Sequence, residues 1–398
     1  MKAATLKLCL PVMAITAQQS AASLVIPPFL DDLKYSVSAI GSLISVMPIL
    51  ALTARLPSGL AYRGERALTL IATAILAMTV CVFLYSFAVH PLYFILIHGL
   101  FGFAYGAFGT FYLVFYVDAL PPDEDRHHAM GYYAGSLAVG YSTGGFIGGY
   151  VADRLGYTAT FRLASLLGFL CIGLLFTLAR STSIRRASDA RTSDTKPTFL
   201  QSLKGLLEPK IAAVMVVALF LNVLHQMGST FLPLYGLVVG LTLAEVGIIK
   251  GCYALCNAIT RPLSGTVVKR LGHSSLTRAG IPLQAAFVMM VPLFPDLLPI
   301  LILFVLSGLM RAIALVANTI SMVEDVDTSR VSRGVVSGIF NAAGDVGNIL
   351  GPNAGGLIAS FTGIANLFLV GPLLIAIFYF LSLWGCRFAG RSVGLGHS

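Results

Sequence analysis

Apolar residues run along this chain in blocks of about twenty, each closed by a short polar or basic segment. The stretch ALTLIATAILAMTVCVFLYSFA, residues 67–88, is one such block and carries no charge. As an α-helix, a block of that length crosses the roughly 30 Å hydrocarbon core of a bilayer. Helices are the default there, because lipid offers backbone N–H and C=O groups no partner. The pattern predicts twelve spans, near residues 6–29, 39–61, 67–87, 91–116, 129–151, 159–179, 210–234, 242–268, 276–294, 297–320, 333–360 and 365–386. The opening MKAATLKLCLPVMAITAQQSAAS mimics a secretory leader, with Lys2 and Lys7 before a short apolar run. The apolar run resumes after Gln18 and Gln19 and reaches Phe29, so the reading is an uncleaved first helix.

Composition agrees. Of 398 residues, 57% are hydrophobic and 11% charged, where a soluble chain carries about a quarter charged. The fold class is therefore an all-α, multi-pass membrane protein. The net charge of +9 reports topology. With the N-terminus inside, most basic residues fall on cytoplasmic segments, Lys34, Arg154, Arg162, Lys250 and Arg311 being the exceptions. Both termini are then cytoplasmic. The polar segment RSTSIRRASDARTSDTKPT, 180–198, reads as a cytoplasmic linker. The expected division is a six-helix bundle at 1–179, a linker at 180–209 and a second six-helix bundle at 210–398. No basic soluble surface exists for nucleic acid, no nucleotide-binding motif or catalytic triad is visible, and no cofactor is expected. The six cysteines lie in apolar spans without metal-ligand spacing; Cys252 and Cys256, one helical turn apart, read as buried.

The chain repeats itself. Arg126, Gly131, Gly140, Gly144 and Gly149 recur as Arg333, Gly338, Gly347, Gly351 and Gly356, and RLPSG at 55–59 recurs as RPLSG at 261–265. That spacing is what a duplicated six-helix unit gives. Gly140, Gly144 and Gly148 share one helix face with Gly149 beside them, and Gly347, Gly351, Gly355 and Gly356 repeat the arrangement around Pro352. Small residues at four-residue spacing let helix backbones approach closely in lipid, whereas a phosphate loop needs GxxxxGK[ST] or GxGxxG after a strand. The glycines predict a packing helix.

On these residues the chain resembles the major facilitator superfamily over nearly its whole length. GYSTGGFIGG at 140–149 is similar to the family's fifth-helix antiporter signature GxxxGPxxGG with Gly145 at the proline position, and GNILGPNAGG at 347–356 matches it fully. SGLAYRGER at 58–66 looks like an altered GxLADRxGRR gating loop, with Tyr62 where the acid is expected; GTVVKRLGH at 265–273 places Lys269 there. GYVADRLG at 149–156 matches the pattern better but falls on the outer side, so it reads as a look-alike. The resemblance implies twelve helices in two pseudo-symmetric bundles, alternating access, and a monomer in the bilayer. It also implies gating pairs: Asp118 with Arg63 or Arg66, and Lys269 or Arg270 with Glu324 or Asp325. Those charges anchoring helix ends is the alternative.

Polar groups inside the spans carry the substrate chemistry, since ionisable side chains there are expensive. The candidates for substrate binding are Gln18, Gln19, His98, Tyr105, Asn222, His225, Gln226, Lys250, Asn257, Arg311 and Asn318. The candidates for proton coupling are His98, His225 and Asp345, histidine because it titrates near neutral pH. His98 stands near where many drug antiporters resembling this chain have arginine. Arg311 and Asp345 either neutralise each other or divide the work, Arg311 with Lys250 receiving an anion while Asp345 carries a proton. The aromatic run FGFAYGAFGTFYLVFY, 101–116, is either a cage for a flat ligand or helix-packing and lipid-facing surface with Tyr105 and Tyr112 inward. Three functions fit: a proton-coupled antiporter exporting a small organic molecule, an uptake or exchange carrier for organic anions, or a non-transporting membrane receptor. The first span lacks the acid that many proton-drug antiporters carry, which argues against a typical cationic-drug pump.

Overall fold

The computed structural model describes residues 3–120, 126–179, 209–324 and 333–394, which are helical almost throughout and contain no strand. The helices are α1 (Ala3–Asp32), α2 (Val37–Ala61), α3 (Ala67–Leu84), α4 (Pro91–Asp118), α5 (Arg126–Ala179), α6 (Pro209–Val238), α7 (Leu243–Leu271), α8 (His273–Met289), α9 (Leu297–Glu324), α10 (Arg333–Thr362) and α11 (Ile364–Gly394). At about 1.5 Å per residue the 54 residues of α5 would run roughly 80 Å, far more than a bilayer core. The helix breaks at Gly156, where φ 81° and ψ 177° suit a residue without a Cβ. Its arms, 126–155 and 157–179, are the fifth and sixth segments that the apolar blocks predict. Ten helices among the described residues are long and apolar enough to cross a membrane. The 30-residue α10, with Asn341, Asp345, Asn348 and Asn353 along it, is not among the ten. The expected linker and Asp325 lie outside the described residues.

Local chemistry sets the helix starts. Ser36 caps α2 by accepting from the Ala39 N–H, and His90 Nδ1 accepts from the Leu92 N–H ahead of α4, with Pro91 at the first helical position. α7 opens with a reciprocal box: the Glu245 carboxylate accepts from the Thr242 N–H at 2.8 Å, and Thr242 Oγ1 accepts from the Glu245 N–H at 3.2 Å.

The described residues fall into two compact units, one drawn from Met1–Ser193 and Leu232–Ala258, the other from Asp194–Phe231 and Ile259–Ser398. The duplication is legible in the elements themselves. α6, α7, α8 and α9 begin 206 positions after α1, α2, α3 and α4; α10 and α11 begin 207 positions after the two arms of α5. The break at Gly156 recurs at Gly363, whose φ is 84°.

The glycine faces pack as their spacing predicts. In the first unit, a methyl on Gly144 would overlap the Ala17 carbonyl oxygen, and one on Gly148 would lie 2.6 Å from Ala21 Cα. In the second, a methyl on Gly351 would lie 2.7 Å from the Val223 carbonyl oxygen and 2.8 Å from Gln226 Cβ, and one on Gly355 would meet Phe231 and Met227. Ala17 and Val223 are again 206 positions apart, as are Ala21 and Met227, so the same residues of each repeat meet. The other face of α5 meets α7 within the first unit: a Cβ on Gly149 would lie 2.5 Å from the Leu243 carbonyl oxygen, and one on Gly247 would lie 2.5 Å from the Gly145 carbonyl oxygen. Side chains there would force the helices apart, and dispersion contacts along both would be lost.

Candidate functional site

Each repeat carries one recurring cross-brace. The Tyr112 hydroxyl donates to the Leu8 carbonyl at 2.6 Å, and Asn318 Nδ2 donates to the Val214 carbonyl at 3.0 Å. Donors and acceptors both sit 206 positions apart. Tyr112 and Asn318 are buried, with relative exposures of 0% and 1%, and Asn318 Oδ1 is without a hydrogen-bond partner.

His98 is likewise enclosed. Pro48 has no N–H, so the Ile44 carbonyl one turn earlier on α2 loses its helical donor. His98 Nε2 lies 3.3 Å from that oxygen, and a carbonyl only accepts, so Nε2 carries the proton. Nδ1 then accepts from the Tyr85 hydroxyl at 2.7 Å. Both ring nitrogens are occupied, inside rings of Phe94, Phe101 and Tyr85. The sequence points to His98 for chemistry; its geometry is that of a strut between α2 and α4.

Gln18 and Gln19 diverge. Gln18 is wholly buried, its Oε1 3.4 Å from the Thr79 hydroxyl, and Gly168 leaves room for both. Its Nε2 is buried without a hydrogen-bond partner. Gln19 is half-buried and accepts from the Tyr141 hydroxyl at 3.0 Å; the Tyr105 hydroxyl lies 3.1 Å from that of Tyr141. Tyr141 is a participant that sequence reasoning missed, although it stands inside the glycine window. Its backbone carbonyl accepts from Ser20 Oγ at 2.7 Å.

In the second unit, Arg311 on α9 is 8% exposed and its Nη2 donates to Asn222 Oδ1 at 2.9 Å. Asn222 in turn donates from Nδ2 to the Ala218 carbonyl, so its amide is held with the oxygen toward the guanidinium. Arg311 Nε is buried without a hydrogen-bond partner. Asp345 on α10 is also 8% exposed, and a Cβ on its neighbour Gly344 would lie 3.2 Å from Asn222 Nδ2. His225 and Gln226 are half-buried on α6. Lys250, half-buried, and Asn257, buried, lie on the stretch of α7 that belongs with the first unit. The Glu245 carboxylate caps the start of α7.

At the α2 end Tyr62 takes the place of the expected acid. Its hydroxyl is buried without a hydrogen bond of full geometry, yet it faces the Asp118 carboxylate. Burial first, and then the charge and a loose hydrogen bond of Asp118, push the phenol up to about 12. Arg63, Arg66, Lys269 and Arg270 are exposed, and Glu324 is the last residue of α9. In 101–116, Phe101, Phe111 and Tyr116 meet rings of Tyr85, Tyr62 and Tyr133, while Phe108 and Phe115 pack on Tyr112 of the same helix; Tyr105 is half-buried and stacks on Phe101 at 6.5 Å. No cluster of three or more metal-ligating side chains occurs among the described residues.

A sequence profile of the Major Facilitator Superfamily matches residues 8–352 and 240–388. The chain is similar to an uncharacterised transporter of that superfamily from Methanocaldococcus jannaschii, 23% identical over 64% of each chain. It is 23% identical to the staphyloferrin B transporter of Staphylococcus aureus over 77% of this chain and 73% of that one, and 25% identical to the multidrug resistance protein MdtG of Klebsiella pneumoniae over 82% and 78%. Its fold is that of the nucleoside transporter NupG, with a TM-score of 0.80 at 14% identity over 98% of this chain and all of that one. An inward-facing bacterial homologue of the lysosomal transporter Spinster superposes at 0.75 and 16% identity, over 98% and 96%. A profile that spans most of the chain, on a duplicated helical fold, leads to one conclusion: the chain belongs to the Major Facilitator Superfamily and is a multi-pass membrane transporter, not an enzyme.

Proposed function

We propose that this transporter exports a small organic molecule bearing an anionic group, in exchange for protons, by alternating access of two six-helix halves. The observation that carries the reading is Arg311. A guanidinium 8% exposed in a membrane helix, donating to a neutral amide and with its Nε buried without a hydrogen-bond partner, is costly to hold and suited to a carboxylate or phosphate. Asp345, buried to the same degree, supplies the coupling. An acid there binds a proton in one state and gives it up when its surroundings change. The duplicated antiporter-like glycine signature and the likeness to a multidrug resistance protein and a staphyloferrin transporter support export. The tight seam of α5 on α7 is a surface that such rocking would open and close. The protein works as a monomer with both termini cytoplasmic. Arg311 equally favours a second reading, uptake or exchange of organic anions, which differs in the direction of flux relative to the proton gradient.

Acidified everted vesicles carrying a pH-sensitive dye test this. Organic anions should dissipate the gradient in wild-type vesicles and fail to do so with Arg311→Ala. Dissipation by lipophilic cations, unchanged in Arg311→Ala, would replace the anion reading with a cationic-drug one.

A further inference from the structure

The duplication carries an inference about what the first repeat contributes, and it rests on the transport reading above. Counting 206 positions through the first four helices and 207 thereafter, Gln19 corresponds to His225, Tyr105 to Arg311 and Tyr141 to Asn348. Two of these positions, His225 and Arg311, are ionisable in the second repeat where the first has neutral Gln19 and Tyr105, while Asn348 and Tyr141 are both uncharged. Asp345 has Ala138 as its counterpart. Among the described residues of α1 to α5, every Asp, Glu, Lys and Arg lies within about two turns of a helix end or of the Gly156 break. His98, the remaining titratable candidate there, has both ring nitrogens occupied.

Hydrogen-bond accounting shows what the neutral set offers. A phenol has one O–H. That of Tyr141 goes to Gln19 Oε1, so the Tyr141 oxygen accepts from Tyr105. The line thus runs Tyr105 to Tyr141 to Gln19. It leaves the Tyr105 oxygen as acceptor at one end and the Gln19 amide N–H groups as donors at the other. The line is held in place: Ser20 anchors the Tyr141 backbone, Gly140 and Gly144 seat that turn against α1, and Phe101 stacks on Tyr105 at 9° between planes. All three side chains are half-buried, which leaves their open ends reachable.

We infer that Gln19, Tyr141 and Tyr105 form an uncharged binding subsite for a planar group that presents a carbonyl acceptor beside an N–H or O–H donor, as a lactam, amide or hydroxylated ring does. The carbonyl takes the Gln19 N–H, the donor takes the Tyr105 oxygen, and the ring lies in the space the tyrosines border.

Three probes separate the roles: uracil has the lactam edge alone, orotate has the edge and a carboxylate, and benzoate has the carboxylate alone. Binding is measured by titration calorimetry on the detergent-purified full chain, and proton movement by an internal pH dye in proteoliposomes. Tyr105→Phe and Gln19→Leu should each weaken orotate and uracil about three- to tenfold, the loss of one hydrogen bond, and leave benzoate unchanged. Tyr141→Phe, which keeps the ring, guards against a packing artefact and should weaken the same two probes as Tyr105→Phe. Equal binding of orotate by wild type and all three first-repeat variants, or binding of benzoate as tight as orotate, overturns the subsite. Orotate binding that follows the expected pattern without proton movement keeps the subsite and refutes proton coupling.

Discussion

Gly144→Ala puts the packing argument to a quantitative test. The added methyl would overlap the Ala17 carbonyl oxygen and lie 2.8 Å from both Ala17 Cα and Ser20 Cβ. Carbon atoms not bonded to one another prefer about 3.5–4.0 Å, so α1 and α5 must part by roughly 0.7 Å. A gap of that size forfeits about a quarter to a half of each contact along the seam, including those of Gly140 on Met13 and Gly148 on Ala21. The expected cost is about 1–3 kcal/mol, the range for overpacking a close contact. Gly135 lies on the same arm of α5 with nothing within 4 Å of an added Cβ. Gly135→Ala should therefore be neutral or gain up to about 1 kcal/mol from helix propensity. Thermal unfolding of the purified protein, followed with a dye that reacts with newly exposed cysteine, separates the two: Cys81 and Cys171 are buried and free. Gly144→Ala should melt several degrees below Gly135→Ala. Equal melting of the two variants refutes the claim that this glycine face sets the helix spacing.

Three further outcomes are expected. Tyr112→Phe and Asn318→Ala remove the same brace from the two repeats, so each should lower stability by about 1 kcal/mol; a loss confined to one would show that the recurring geometry does not carry a recurring contribution. His98→Gln, which keeps an N–H donor for Ile44, should leave the pH profile of transport unchanged, whereas His98→Leu should destabilise the fold; a shifted profile in His98→Gln would make His98 a proton carrier after all. Tyr62 has a phenol raised from 10.0 to about 12, so the folded state favours its protonated form. Its contribution is full below pH 10 and is lost as pH rises through about 12. Wild-type protein should lose more stability than Tyr62→Phe across that window, compared by melting temperature, and the two should run parallel between pH 6 and 9.

Much of the fold was legible because lipid leaves a chain few choices. Apolar blocks of about twenty residues had to be helices, and each coincides with a helical segment. The break at Gly156 was also readable, as a polar gap between two blocks. The glycine faces could be read from spacing alone, since only small residues let backbones meet. The site was less legible. Stripes of polar residues are visible in a sequence, but whether a polar atom faces open space or a neighbour's backbone is not. His98 looked available, and the orphaned carbonyl that occupies it follows from Pro48 on another helix. Asn318 looked like a ligand contact and braces Val214. Tyr141 went unnoticed because a tyrosine among glycines reads as packing. Its partner Gln19 lies 122 positions away, and only the offset that relates it to Asn348 marks the position beforehand.

The most direct test of the central claim is the direction of flux in proteoliposomes. Purified protein is reconstituted with labelled orotate inside and an imposed pH gradient, acid outside. Antiport predicts that the gradient speeds orotate efflux severalfold, that a protonophore abolishes the acceleration, and that Arg311→Gln shows none. Efflux slowed by external acid would mean that anion and proton travel together, and the exporter reading would fall to the uptake carrier.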